Sequence, residues 1–475
     1  MPRDVQLAFA SIAKIGALFR KRKLSPVELT HFLLERIAKI NPRLNAYLTV
    51  NEEQALQEAS RCEKELFGGR GKKSRGDRGP LHGIPISLKD NIYTAGIRTT
   101  GGSKILREFV PLHDAPIVTA LKKAGAVIVG KTNMHEFAYG TTSNNPHFGP
   151  VRNPWDLARI AGGSSGGSAA ALAAGLCYGS VGTDTGGSIR IPASLCGVVG
   201  LKPGLSRVSA EDVIPLSKTL DFVGPLARTV DDAALLLEPI FAHGKDEHSL
   251  RPRQSSSSRA RRPHLGIPKE LFFDVVNPEV ELAFHAAVRI LKKRGARFNE
   301  VSVPLLQETE DAGNQIAWAE ALHYHQQAGW YPDHASEYGE DVRVRLEMGE
   351  KVSAAAYLQA LEQRETFINS FHTALRDNEL DALFVPTTPI TAARIGEESV
   401  SIGGKDYPTR ALLLRLNRPA NLAGVPAISV PCGLSKNNLP IGLQFIGAAN
   451  AEALLFELAH EFEQASPLSA WPDLA

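Results

Sequence analysis

GIPISLKD, residues 83–90, and DAPIVTALKKAGAVIVG, residues 114–130, decide the fold. Their apolar runs, Ile84 to Leu88 and Ala126 to Val129, are short and lack the polar alternation of a half-solvated strand, so they read as strands buried on both faces. Asp114 is placed to cap a helix between them. Outward from this unit, Ser25-Pro-Val-Glu28 is a capping box with proline at the first helical position, and Leu29, Phe32, Leu33, Ile37 and Ile40 follow at helical spacing. Asn277-Pro278 opens a second amphipathic helix (Val280, Phe284, Val288, Leu291) that Gly295 ends, and strand-like runs come at Phe298 to Val303, Leu380 to Val385 and Ile441 to Ile446. Strands alternating with helices predict an α/β chain, a mostly buried sheet covered by helices.

Composition sets outer limits. The 475 residues carry 53 basic and 51 acidic side chains, a net charge of +2, so no global field favours nucleic acid or an anionic membrane. Cys62, Cys177, Cys196 and Cys432 are widely spaced, which indicates buried thiols rather than a zinc cluster or a disulfide framework. The basic cluster Arg20 to Lys23 follows the apolar part of the N-terminus, the reverse of a secretory signal, and no uncharged run reaches the roughly 18 residues that span a bilayer. A cytoplasmic location is the resulting default. GGRGKKSRGDRGP, residues 68–80, reads as a solvated basic loop, and RPRQSSSSRARRP, residues 251–263, as a low-complexity segment.

Chemistry concentrates in two glycine- and serine-rich clusters, AGGSSGGSA (Ala161 to Ala169) and TDTGGSIR (Thr183 to Arg190). Such sequences let a backbone fold tightly and aim several N–H groups at one point, as an oxyanion site requires. Two short patterns compete with that reading. Gly125 to Thr132 fits G-x-x-x-x-G-K-T, but its AVIV core is strand-like where a phosphate loop must face solvent. Gly162 to Gly166 fits the nucleophile elbow G-x-S-x-G, but NPWDLARIA before it is a poor strand, and His323, His325 and His334 fall in a polar helical stretch. A third reading uses Lys89 as base: it ends an apolar run, where burial disfavours its charged form.

Together GIPISLKDN (Gly83 to Asn91), AGGSSGGSAAA (Ala161 to Ala171) and GTDTGGSIRIPASLCGVVGLKPG (Gly182 to Gly204) resemble the signature of the amidase-signature family. Ser164 lies 24 residues and Lys89 99 residues before Ser188, intervals that match that family. GKTNMHEFAYGTTS near residue 130 and NLAGVPAISVPCG (Asn421 to Gly433) extend the similarity over nearly the whole chain. The resemblance implies an α/β/α sandwich around a mixed, twisted central sheet. It also implies one domain, 1–475, within which 68–80 is a loop and 251–263 an insertion. By the same resemblance Ser188 would be the nucleophile, Ser164 (in the family a serine with a cis peptide bond) the proton relay, and Lys89 the base. Backbone N–H groups of Thr185, Gly186, Gly187 and Ser188 would form the oxyanion hole. This mechanism calls for no metal and no organic cofactor. Asp184 and Arg190 read as a structural charge pair shaping the loop.

Within the family, the A-type component of glutamyl-tRNA amidotransferases is the alternative, releasing ammonia from glutamine. Its glutamine-binding acid lies shortly before NLAG, where this chain has Leu412 to Ala420 with Arg415 and Arg418 and no acid. The sequence therefore favours a stand-alone serine hydrolase acting on an amide, ester or carbamate. Its expected partners are a small-molecule substrate, no nucleic acid and no membrane, with a homodimer allowed. Met134, Phe137 and Tyr139 are expected to line an apolar acyl pocket, and Trp318 to Trp330 could lie near its mouth.

Overall fold

The structure is a computed structural model that describes residues 3–68, 76–242, 250 and 262–474. Among these residues eleven strands form one sheet. They are β1 (Tyr47–Val50), β2 (Pro85–Lys89), β3 (Val127–Thr132), β4 (Gly179–Asp184), β5 (Val199–Lys202), β6 (Phe222–Ala227), β7 (His264–Pro268), β8 (Arg297–Val301), β9 (Ala382–Pro386), β10 (Ala427–Leu434) and β11 (Pro440–Gly447). In space their order is β1-β3-β2-β4-β6-β5-β10-β11-β9-β7-β8. β2 runs parallel to β3 and β4, and β7 parallel to β8 and β9. All other neighbours are antiparallel, so two parallel patches flank an antiparallel centre.

The helices that matter for the site are α1 (Pro26–Leu44), α2 (Gly166–Ala173), α3 (Arg190–Cys196), α4 (Pro278–Lys293), α5 (Thr309–Gln327), α6 (Thr409–Arg415) and α7 (Arg418–Leu422). Successive strand residues enter opposite layers. In β3, Val127 and Val129 join the cluster of α2 while Ile128 joins the other; in β9, Ala382 and Phe384 pack with Phe284 of α4, while Leu383 and Val385 pack with Ile316 of α5. Both faces are covered, which is why these strands are almost continuously apolar and why the architecture is the expected α/β/α sandwich.

Local signals translated well where the backbone chemistry was explicit. Ser25 and Glu28 make the reciprocal capping box of α1, and Asn277 caps α4 by accepting from Glu279 N. Asp114 does not cap the helix that follows it. That helix, Pro116–Lys123, begins after Ala115 without a side-chain cap, and Asp114 instead accepts from Ala95 N (2.8 Å) and pairs with Lys122 (2.8 Å). Of the basic loop 68–80 and the low-complexity segment 251–263, residues 69–75 and 251–261 lie outside the described residues. Among the described residues no helix is long and apolar enough to cross a membrane.

Phe384, fully buried in β9, meets Phe445 at 4.7 Å and Phe284 at 5.6 Å between ring centroids. Phe384→Ala should destabilise the fold by about 3–5 kcal/mol, the range for emptying a phenylalanine site in a packed core. The check is the denaturant midpoint; an unmoved midpoint would mean this contact is not central to the sandwich.

Candidate active site

Lys89 is the last residue of β2, and Thr183 and Asp184 end its parallel neighbour β4, so both open at the carboxyl edge of the sheet, where open α/β sheets place their ligands. Ser164 stands two residues before α2, and Ser188 lies in the loop between β4 and α3. The fold thus brings together the three residues singled out by the motifs. Lys89 Nζ lies 2.7 Å from Ser164 Oγ and 2.6 Å from Thr183 Oγ1, with no exposed surface. The Gly163–Ser164 peptide bond is cis. Ser165 ties the two serine loops, its N–H donating to Ser188 O (3.1 Å) and its hydroxyl to Thr183 O (3.1 Å).

Burial brings the Lys89 ammonium down to about 7, against the pull of Asp221 and Asp184 in the other direction. A large fraction of the amine is therefore neutral near pH 7 and able to accept a proton. Asp221, which no motif announced, is raised by burial to about 6 and accepts from the Thr185 hydroxyl and from the N–H groups of Leu216 (2.8 Å) and Ser217 (3.1 Å). It acts on both Lys89 and the Thr185 loop.

The loop carrying Ser188 is built around a buried ion pair. Arg190 Nε and Nη2 each reach Asp184 at 3.1 Å, and Asp184 also accepts from Gly187 N (2.7 Å) and Ile189 N (3.1 Å). Burial would raise Asp184, but the charge and hydrogen bonds of Arg190 outweigh it, and Lys202 and Asn421 add to them, holding the carboxyl at about 2. Asn421, from NLAG, donates to Asp184 O and Oδ1 (both 2.9 Å) and accepts from Arg190 (2.7 Å). Gly187 has φ +118°, and a Cβ there would sit 2.6 Å from Asn417 Cβ, so only glycine fits.

Among the described residues the N–H groups of Thr185, Gly186 and Ser188 make no hydrogen bond, whereas that of Gly187 is given to Asp184. Of the four N–H groups expected to form an oxyanion hole, that of Gly187 thus holds the loop in shape, while those of Thr185, Gly186 and Ser188 are unpaired. Ser188 lines a narrow pocket with about 30 Å³ open to a water-sized sphere. Tyr139 lines it, as does Trp318. Met134 and Phe137 do not: both are fully buried, and Phe137 stacks on Trp330 (5.2 Å) and meets His325 edge-on (4.6 Å). Of the two arginines that replace an acid ahead of NLAG, Arg418 lines the pocket, with Arg410, while Arg415 turns away to Asp274 (3.1 Å).

The competing patterns resolve physically. Lys131 of the G-K-T string lies inside β3, fully buried, donating to Ile92 O and Thr99 Oγ1 rather than opening a phosphate loop. Near the elbow pattern, no imidazole among the described residues hydrogen-bonds to Ser164 or Ser188; His325 instead pairs with the Tyr338 hydroxyl (2.7 Å).

The amidase family model matches residues 28–456. The chain belongs to the amidase-signature family. This family member is 38% identical to the A-type component of the glutamyl-tRNA(Gln) amidotransferase of Carboxydothermus hydrogenoformans over 97% of its length and 98% of the relative's. The crystal structure of an amidase superposes with a TM-score of 0.87 at 35% identity, covering 96% of this chain and 100% of that one. The corresponding A-type component of the Thermotoga maritima amidotransferase gives 0.75 at 34% identity, covering 96% and 98%.

These relatives correct two expectations. The stand-alone hydrolase, and with it a partner set limited to small molecules with no nucleic acid, is overturned by full-length relatives named as components of a tRNA-dependent enzyme. The contrary argument rested on one missing acid before Asn421. A single pocket position reports on substrate contacts and not on assembly, and a net charge near zero leaves a partner free to bring the nucleic acid.

A lysine accepts a proton only when neutral, so with Lys89 as the expected base the rate at which a fluorophosphonate modifies Ser188 should rise with pH through about 7 and level off above it. Asp221→Asn removes a charge that favours the ammonium, so the midpoint should move to lower pH. A midpoint that stays put or rises would show that Asp221 does not act on Lys89.

Proposed function

We propose that this amidase-family chain is the A-type component of a glutamyl-tRNA amidotransferase, releasing ammonia from glutamine through an acyl-enzyme on Ser188. The observation that carries the chemistry is the buried Lys89–Ser164 contact of 2.7 Å beside a pocket that Ser188 lines. Lys89 accepts the Ser164 proton as Ser164 takes that of Ser188, and Ser188 Oγ attacks the side-chain carbonyl of glutamine. The N–H groups of Thr185, Gly186 and Ser188 stabilise the oxyanion, each donor being worth about 10²–10³ in rate. The proton returns through Ser164 to the leaving nitrogen, ammonia departs, and water activated by the same relay frees glutamate. Ammonia passes to the other subunits, where a nucleoside triphosphate activates the side-chain carboxylate of glutamyl-tRNA(Gln) as an acyl phosphate and ammonia displaces the phosphate.

The relatives that are themselves such A-type components support the choice of glutamine and of a multisubunit setting. The test is ammonia release from glutamine by the chain alone and with the other subunits of such an enzyme, glutamyl-tRNA(Gln) and ATP to activate its carboxylate. Ser188→Ala should abolish release, and Lys89→Ala should lower it by at least about 10²–10⁴. Full activity in Ser188→Ala would refute the triad; no amidation of the tRNA in the presence of partners would refute the place in an amidotransferase.

A further inference from the structure

We infer that Arg410 and Arg418 form a carboxylate receptor beside Ser188, so that the donors it favours, glutamine among them, are short amides whose acyl chain ends in a carboxylate. The inference rests on Ser188 as nucleophile and specifies what its acyl donor carries.

Arg418 is 5% exposed and lines the pocket with the less buried Arg410. Among the described residues neither guanidinium donates a hydrogen bond or joins an ion pair, and the buried Nε of each is without a partner. An arginine brings five N–H donors and is seldom buried unless they are used. Its neighbours obey that rule. Arg190 binds Asp184, Asn421 and Gln444, and Arg345 binds Asp341 (3.0 Å) and Tyr139 O (2.7 Å).

The positive charge of this wall is not matched by the protein. The acids that act on the pair are Glu310 of α5 for Arg418 and Asp341 for Arg410, and neither hydrogen-bonds to it. Asp341 is already shared between His135 (2.7 Å) and Arg345. No carboxylate lines the pocket, and the Tyr139 hydroxyl, which also faces both arginines electrostatically, is itself without a partner. Burial, Arg345 and Arg418 draw Arg410 down to about 9, which leaves it cationic at neutral pH.

The backbone makes room for this arrangement. Gly313 lies inside α5, where glycine is less favourable than alanine, and a Cβ there would sit 2.4 Å from Arg418 Cδ and 2.6 Å from Nη1. On the other side, a Cβ on Gly186 would lie 3.7 Å from Arg418 Nε and Nη2, so the guanidinium borders the Thr185–Ser188 loop. A planar fork of donors at that place suits a carboxylate on the far end of a short acyl chain. Glutamine fits through its α-carboxylate, while its ammonium meets no acid in the wall.

Three amides of one chain length separate the charges: glutaramate carries only the carboxylate, glutamine carries both groups, and 4-aminobutanamide carries only the ammonium. Each is assayed for ammonia release and for protection of Ser188 against fluorophosphonate labelling, with the other subunits present. The expected order is glutaramate, glutamine, 4-aminobutanamide, with the ends separated on the order of 100-fold in kcat/KM, as for charge-assisted hydrogen bonds lost from a closed site. Arg418→Met and, independently, Arg410→Met should shrink that ratio by about tenfold or more, while Arg418→Lys keeps part of it. Labelling of Ser188 shows which variants still fold their site. Equal turnover of the three amides by a labelled wild type, or an unchanged ratio in both methionine variants, overturns the receptor and leaves the Ser188 chemistry standing. A wild type that is neither labelled nor active overturns both.

Discussion

The site depends first on the buried Asp184–Arg190 pair. A bare carboxylate under these layers would carry a desolvation penalty of several kcal/mol. Asp184 is tolerated because two guanidinium nitrogens, two loop N–H groups and Asn421 all converge on it. That convergence fixes the path of residues 185–189, and so decides which N–H groups point at the pocket and which are consumed inside the loop. Arg190 is held in turn by Gln444 of β11 and by the carbonyl of Asn417. The pair is thus a joint between the strand that ends at Asp184 and the C-terminal part of the sheet, and the loop is positioned by distant segments rather than by its own stiffness.

The same low-dielectric setting divides roles among the charged groups. Desolvation pushes Lys89 towards its neutral form and Asp221 towards its protonated form, while Asp184, with a guanidinium against it, stays ionised. Three ionisable groups in one neighbourhood are separated by the number of donors each one meets. Arg418 and Arg410 stand apart again, as cations for which the protein supplies little compensation.

Much of this was legible in the sequence, for identifiable reasons. The buried strands could be read because a sheet covered on both faces asks for unbroken apolar runs. Lys89, Ser164 and Ser188 could be found because tight glycine-rich turns leave a local, ordered signature. Asp221 and Thr183 were not legible as partners of Lys89, since what brings them there is strand pairing between β4, β2 and β6 and not spacing along the chain. Met134 and Phe137 illustrate a different limit: an apolar side chain near a motif looks the same whether it lines a pocket or packs against Trp330. The missing acid before Asn421 was over-read as a statement about assembly.

The joint at Asp184 also has a temporal side. A nascent chain that has left the ribosome as far as Ala227 already holds Lys89, Ser164 and Ser188, but Asn417, Asn421 and Gln444 have not yet been made. The loop around Ser188 therefore cannot reach its final shape until the last part of the polypeptide is synthesised and β10 and β11 have joined the sheet.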